Sequence, residues 1–202
     1  MRIGVDFDNT IVCYDGLFHR VALEQGLIPA TLPADKGSVR DHLRRVGRED
    51  AWTEMQGTVY GARMLEAAAF PGVLDFFRRA VREDYDICIV SHKTRHPYLG
   101  PKYDLHEAAV GWLERNGFFD ADGIGMERGR VFFELTLPEK LRRIGAAGCT
   151  HFIDDLPELL AEPEFPKEAS RILFDPTGSR EAADGVRRVR SWREIEAELL
   201  AA

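Results

Sequence analysis

Four short apolar runs, each ending in an acidic or polar residue, constrain the fold more than any other feature of the chain. They span Arg2 to Asp8, Asp86 to Ser91, Cys149 to Asp154 and Ser170 to Asp175. Near-continuous apolar runs predict strands that are buried on both faces, as in a parallel sheet covered by helices. Because 45% of the 202 residues are hydrophobic, the chain can build such a core.

Segments with helical periodicity lie between and after these strands. Apolar residues recur at helical spacing from Val73 to Val81, a shorter stripe follows Pro138, and a third begins at Trp192. Strands that alternate with helices predict an α/β fold with right-handed crossovers. We therefore expect a doubly wound, Rossmann-like parallel sheet as the core of the protein.

One segment, from Cys13 to about Phe70, interrupts the alternation. It is rich in Ala, Leu, Arg and Glu, contains no convincing strand, and has patterns that predict about three helices. We therefore predict a core formed by residues 1–12 and 71–202, with a small helical cap formed by residues 13–70. An insert at this position would lie where the first strand opens onto a ligand crevice. The alternative is an ordinary helical elaboration on the flank of the sheet.

Charge and cysteine content exclude several classes of partner. The chain has 34 acidic and 27 basic residues, a net charge of −7, so we expect no nucleic-acid partner. Its longest apolar run is far shorter than the ~20 residues that span a bilayer, and we expect no membrane association and no export signal. Three cysteines without metal-type spacing indicate a reducing, cytoplasmic location. The oligomeric state is left open.

Two carboxylates follow the first strand, in the sequence Asp6-Phe7-Asp8-Asn9-Thr10. In extended backbone the side chains of Asp6 and Asp8 would point to the same face. Acids crowded at a sheet edge repel one another, and their pKa values shift unless a cation lies between them. The pair alone is equally consistent with an ordinary turn after a strand.

Three further features change this interpretation. Ser91 ends the second apolar run, Lys140 lies in the first turn of a predicted helix, and Asp154-Asp155 follow the third run. Each has a structural explanation of its own: a loop-entry or capping serine, a solvated lysine and a helix N-cap. The ordered set, and not any single member, indicates a functional site.

This ordered set resembles the haloacid dehalogenase superfamily, most closely its phosphatase members, over roughly residues 1–175. The matching residues, in chain order, are Asp6, Asp8 and Thr10 for the pattern Asp-x-Asp-x-Thr, then Ser91, Lys140 and the pair Asp154-Asp155. The helical insert resembles the cap that the family places between its first two motifs. Members of the family differ in which carboxylate of the last motif contacts the metal.

The resemblance implies a Mg²⁺-dependent phosphomonoester hydrolase that acts through an aspartyl-phosphate. Asp6 would attack phosphorus, and Asp8 would protonate the leaving oxygen and later deprotonate water. Mg²⁺ would be held by Asp6, the backbone carbonyl of Asp8 and the pair Asp154-Asp155. The dehalogenases of the superfamily lack an acid at the position of Asp8, so the resemblance disfavours carbon–halogen chemistry.

The expected phosphate-binding residues are Lys140, which also counts as catalytic, together with Asn9, Thr10, Ser91 and His92. The basic and aromatic loop after Ser91 adds Lys93 and Arg95 as candidates for a second anionic or polar part of the substrate. This loop is equally consistent with a solvated surface. The expected partner is a small phosphorylated metabolite, either a sugar phosphate or a nucleotide monophosphate. A non-catalytic phosphate-binding domain and a phosphotransferase or phosphomutase are the alternatives.

Overall fold

A computed structural model describes residues 1–200, which contain eight strands and eight α-helices. The strands are β1 (Arg2–Val5), β2 (Val12–Cys13), β3 (Ala68–Ala69), β4 (Asp86–His92), β5 (Val131–Glu134), β6 (His151–Asp154), β7 (Ser170–Phe174) and β8 (Val186–Val189). The helices are α1 (Asp15–Glu24), α2 (Lys36–Arg45), α3 (Glu49–Gly57), α4 (Val73–Arg82), α5 (Leu105–Arg115), α6 (Leu137–Ala146), α7 (Pro157–Leu160) and α8 (Trp192–Leu199). A π-helical turn (Thr58–Ala62) and two 3-10 turns (Met64–Glu66 and Arg128–Arg130) complete the elements.

The chain divides into two compact units. The core unit comprises residues 1–12, residues 69–93 and the chain from residue 116 onward, and the helical unit comprises residues 13–68 and 94–115. The sequence analysis predicts a core of residues 1–12 and 71–202 and a cap of residues 13–70. Residues 94–115, which the sequence pattern assigns to the core, group instead with the helical unit.

The core unit is built on a six-stranded parallel sheet with the strand order β5-β4-β1-β6-β7-β8. From the central strand β1, the order runs outward through β4 and β5 on one side and through β6, β7 and β8 on the other. This arrangement confirms the predicted doubly wound α/β core. The topological switch point lies between β1 and β6, which is where open α/β sheets bind their ligands.

The central strand β1 packs closely against its neighbours. Ile3 and Val5 are fully buried, and between them Gly4 leaves room for the Phe152 ring. A Cβ added at Gly4 would lie 2.6 Å from a ring carbon of Phe152 and 2.8 Å from the sulfur of Cys149. The glycine is therefore required by close packing.

Gly4→Ala should destabilise the protein by about 1–3 kcal/mol, because an overpacked core must shift to relieve the contact. Gly16→Ala is the matched control: it lies in α1, and an added Cβ there meets no atom within 4 Å. That change should leave stability unchanged or raise it by less than ~1 kcal/mol. Chemical denaturation of both variants checks the prediction, and equal effects at the two positions would contradict it.

The helical unit has its own aromatic core. The ring of Phe18 stacks on Trp52 with centroids 4.9 Å apart, and the Trp112 indole donates a 2.9 Å hydrogen bond to the Ala67 carbonyl. At Gly61 an added Cβ would lie 2.6 Å from the Cβ of Tyr103, so the backbone approaches that side chain closely. These contacts explain why residues 94–115 belong to this unit.

Several elements differ from the sequence expectations. The stretch beyond Cys13, predicted to contain no strand, includes the short β3, which pairs with β2 in a separate two-stranded sheet. The last predicted helix of that stretch ends at Gly57 and continues as the π-helical and 3-10 turns. Within residues 1–200, no helix has both the length and the apolar character needed to cross a bilayer.

Candidate active site

Three buried aspartates meet at the carboxyl ends of β1 and β6. Val5 pairs with Ile153, and the Asp6 amide donates a 2.9 Å hydrogen bond to the Ile153 carbonyl. This register places Asp6 beside Asp154, the last residue of β6. One carboxylate oxygen from each of Asp6, Asp154 and Asp155 lies within 4.8 Å of the others.

Lys140 lies between two of these acids. It occupies the first turn of α6, where Thr136 caps the helix by accepting the Glu139 amide. Its Nζ donates 2.6 Å hydrogen bonds to Oδ1 of Asp6 and to Oδ2 of Asp154, and its side chain is 2% exposed. The structure thus brings together two motifs that are 134 residues apart in the chain.

Burial and like charges shift the pKa values of this cluster. Burial, reinforced by Asp154 and Asp8 and opposed by Lys140, raises the pKa of Asp6 to about 7. Burial also raises the pKa of Asp154, although Lys140 opposes the shift. Burial alone would lower the pKa of Lys140, but the two carboxylates outweigh it and the pKa rises, so the ammonium stays charged. Lys140 contacts only two of the three carboxylates, those of Asp6 and Asp154.

The donor set of this cluster fits a hard divalent cation such as Mg²⁺. All three groups offer carboxylate oxygens, the ligands that Mg²⁺ prefers. A bound cation would favour the charged form of Asp6, against the burial and the neighbouring carboxylates that raise its pKa. The carboxylate of Asp8 lies outside this group of three.

Two buried hydroxyls have no hydrogen-bond partner among the residues that the structure describes. Ser91 lies near the end of β4, two residues beyond Ile89, which pairs with Val5, so it shares the carboxyl edge with Asp6. Its Oγ is buried and unpartnered, as is Oγ1 of Thr10. Such groups are rare in folded proteins because a buried polar atom without a partner is costly. A bound anion would supply the missing partner.

Two further residues predicted to bind phosphate, Asn9 and His92, directly follow Asp8 and Ser91 in the chain. Asn9 has a left-handed backbone (φ 58°), which Asn tolerates better than most residues, and it turns the chain immediately after Asp8. The His92 ring nitrogen Nε2 lies 3.0 Å from the Leu135 carbonyl oxygen.

The two candidate substrate-binding cations are placed differently. Lys93 is buried and forms an ion pair with Asp8, with Nζ 2.7 Å from Oδ2 and 3.0 Å from Oδ1. Arg95 belongs to the helical unit, is exposed, and pairs with Asp104 at 2.9 Å. Lys93 and Arg95 are therefore each paired with a carboxylate of the same unit.

Arg180 is a member of the cluster that sequence reasoning missed. It lies in the loop between β7 and β8 and donates a 3.0 Å hydrogen bond to Oδ2 of Asp155. The Asp175 carboxylate organises this loop by accepting the amides of Gly178 and Arg180 and the hydroxyl of Thr177. An aspartate that directly follows an apolar run and precedes Pro-Thr-Gly is a turn signal that could have indicated this loop.

No protein-family model and no curated protein matches the chain. Solved structures do match: a HAD family hydrolase from Deinococcus radiodurans, determined with bound phosphate and sodium, has 15% identity and a TM-score of 0.61 over 98% of this chain and 94% of that one. A phosphoserine phosphohydrolase-like protein from Francisella tularensis has 14% identity and a TM-score of 0.56 over 98% and 99% of the two chains. The chain has the haloacid dehalogenase fold.

The haloacid dehalogenase fold accommodates more than one chemistry. A dehalogenase with an intermediate complex is also similar, with 14% identity and a TM-score of 0.59 over 100% of this chain and 97% of that one. At these identities the likeness establishes the fold alone. The choice of chemistry therefore depends on the residues of the site.

Proposed function

We propose that this protein is a Mg²⁺-dependent phosphomonoester hydrolase that acts on a small phosphorylated metabolite through an aspartyl-phosphate. One observation carries the proposal: Lys140 lies 2.6 Å from both Asp6 and Asp154 within a buried cluster of carboxylates. A buried ammonium that joins two strand ends can bind a transferred phosphoryl group while the carboxylates hold a cation.

The chemistry divides one displacement into two steps. An oxygen of Asp6 forms a bond to phosphorus as the ester P–O bond breaks, and the leaving oxygen takes a proton from Asp8. Asp8 then removes a proton from water, the resulting oxygen attacks phosphorus, and the bond to Asp6 breaks. Inorganic phosphate and the alcohol leave, and both aspartates return to their initial states.

Asp6, Asp154 and Asp155 would hold Mg²⁺, which when bound supplies positive charge against the repulsion between a carboxylate and an anionic phosphate ester. Lys140 and the Ser91 hydroxyl would bind the phosphoryl oxygens as charge spreads over them. The unpartnered Oγ of Ser91 supports this assignment.

Asp8 favours ester hydrolysis over dehalogenation. A phosphate ester releases an oxygen that needs a proton, and a carbon–halogen bond does not. An acid two residues after the nucleophile therefore supplies a proton that the first reaction needs and the second does not. We propose sugar phosphates or nucleotide monophosphates as the substrate class, with the helical unit acting as a cap, and a cytoplasmic location without nucleic-acid or membrane partners.

Turnover of a chromogenic phosphate ester, with and without Mg²⁺, tests the proposal. We expect hydrolysis that requires Mg²⁺ and stops when a chelator is added. Activity that survives the chelator would contradict the role of the metal. If a broad panel of esters shows no turnover while phosphate analogues bind, the protein is a non-catalytic phosphate-binding domain.

Asp8→Asn should slow poor leaving groups far more than good ones. General acid catalysis contributes roughly 10²–10⁴-fold, so turnover of an alkyl phosphate should fall by about that factor. Turnover of p-nitrophenyl phosphate should fall much less, because its leaving group needs little protonation. The comparison uses kcat/KM for both esters, which excludes the later hydrolysis of the aspartyl-phosphate that they share. Asp122→Asn, at an exposed position of the core unit, is the control. Equal losses for both esters would show that Asp8 is not the proton donor.

A further inference from the structure

We propose that Lys93 is a positioning residue that holds the carboxyl group of Asp8 in the orientation needed for proton transfer to the leaving oxygen. This role rests on the proposed function of Asp8. It differs from the role that the sequence predicts for Lys93, which is contact with a second anionic part of the substrate.

The first support is the geometry of the ion pair. Nζ of Lys93 lies 2.7 Å from Oδ2 and 3.0 Å from Oδ1 of Asp8, so a single ammonium contacts both oxygens of the carboxylate. Rotation of the carboxylate about its Cβ–Cγ bond would lengthen both contacts. One oxygen can remain bonded to Lys93 while the other faces the reacting groups.

The second support is burial. The Lys93 side chain is 3% exposed and that of Asp8 is 22% exposed. Water screens such a pair much less than a surface ion pair, and surface pairs contribute little. A buried ammonium without its counter-ion would be costly, so Lys93 has a strong preference for this contact.

The third support is that Lys93 is itself fixed. Its amide donates a 2.9 Å hydrogen bond to the Glu134 carbonyl at the end of β5. Its ammonium lies 5.6 Å from the centroid of the Phe7 ring, within the range of a cation–π contact. The Phe7 ring in turn packs edge-on against Phe133, with centroids 5.8 Å apart. The ammonium is thus anchored at the ends of β4 and β5.

The backbone around Asp8 explains why such support is needed. β1 ends at Val5, and Asp8 lies in the following turn, where it bridges to Val12 and precedes the left-handed Asn9. A side chain in a turn is less constrained than one in a central strand. Misplacement of a catalytic group by about 1 Å can cost on the order of 10²-fold in rate.

The two possible roles of Lys93 make different kinetic predictions. A residue that binds the substrate equally in the ground and transition states changes KM and leaves kcat unchanged. A residue that positions the proton donor lowers kcat, and it does so most for esters whose leaving oxygen needs a proton.

Lys93→Met, which keeps the length of the side chain and removes the charge, tests the proposal in the full-length protein with Mg²⁺. We expect kcat/KM for an alkyl phosphate to fall roughly 10- to 100-fold and kcat/KM for p-nitrophenyl phosphate to fall by less than about threefold, because kcat/KM reports the transfer to Asp6 and not the later attack of water that both esters share. KM for the alkyl phosphate should stay within about twofold. Lys93→Arg should recover most of the loss, because it restores a donor for both oxygens of Asp8. Lys102→Met, at an exposed lysine, is the matched control.

Circular dichroism and thermal unfolding show whether each variant folds. If Lys93→Met does not fold, Lys93→Gln replaces it, because Gln keeps a polar end at this buried position. Gln is uncharged and shorter than Lys and would not hold both oxygens of Asp8, so the same difference between the two esters is expected. Equal losses for both esters, or a raised KM with unchanged kcat, would overturn the positioning role alone. A wild-type protein that hydrolyses neither ester would overturn both this role and the proposed function.

Discussion

Asp6→Asn is expected to abolish phosphoester turnover, with a loss of at least ~10³-fold, while the protein remains folded. The substitution removes the attacking oxyanion and almost no volume, and its side-chain oxygen can still accept a hydrogen bond from Lys140. Lys140 also keeps Asp154 as a partner at 2.6 Å. Initial rates with p-nitrophenyl phosphate and the far-ultraviolet circular dichroism spectrum test the two parts of this result. Substantial residual turnover would exclude Asp6 as the nucleophile.

The same substitution has a pH-dependent effect on stability in metal-free protein. Burial raises the pKa of Asp6 from 3.8 to about 7, so the folded state holds a proton that the unfolded state has released. The stability that Asp6 contributes is therefore fully present below pH 3.8 and is lost as the pH rises through about 7. Asn does not titrate, so the unfolding free energy of Asp6→Asn relative to wild type should rise across this window. A difference that stays flat would contradict the shifted pKa.

Lys140→Met is expected to destabilise the metal-free protein by about 3–5 kcal/mol and to abolish turnover. The substitution leaves Asp6 and Asp154 buried without their shared counter-ion, and they would then take up protons more readily. The loss of stability should therefore be larger at neutral than at acidic pH. Urea denaturation at several pH values measures it.

Lys167→Met is the control for this experiment, because it makes the same substitution at an exposed lysine. Its stability should stay within about 0.5 kcal/mol of wild type. If Lys140→Met is as stable as this control, the buried contacts of Lys140 with the two aspartates do not form in the protein.

The strands of the sheet differ in how well the sequence predicts them. β1, β4, β6 and β7 are apolar because both of their faces are covered, and their runs are visible in the sequence. β8 lies at the edge of the sheet and has the sequence Val-Arg-Arg-Val, with both arginines exposed. Pairing with β7 decides its conformation, and a tertiary contact of this kind leaves little local pattern.

The sequence analysis predicts no helix at the position of α5, although the sequence there has a helical pattern. Its buried residues, Leu105, Ala109, Trp112 and Leu113, follow helical spacing. A proline- and glycine-containing loop precedes it, and this loop conceals the start of the helix.

Some contacts of the candidate site are predictable from the sequence and others are not. The motif resemblance is sufficient to bring Lys140 and the Asp154-Asp155 pair to the end of β1, because parallel strands place their carboxyl ends at one edge. It does not predict that Lys93 contacts Asp8 or that Arg180 contacts Asp155. Those pairs depend on how two loops turn after their strands, and the local sequence does not determine which acid each cation meets.

Identification of the phosphorylated residue tests the central claim most directly. The protein would be quenched with acid during turnover of a phosphate ester and reduced with borohydride, which converts an acyl phosphate to an alcohol, and the modified peptide would be sequenced by mass spectrometry. We expect the modification at Asp6 in wild type and none in Asp6→Asn. A modification at another residue, or its persistence in Asp6→Asn, would contradict the assignment of Asp6 as the nucleophile.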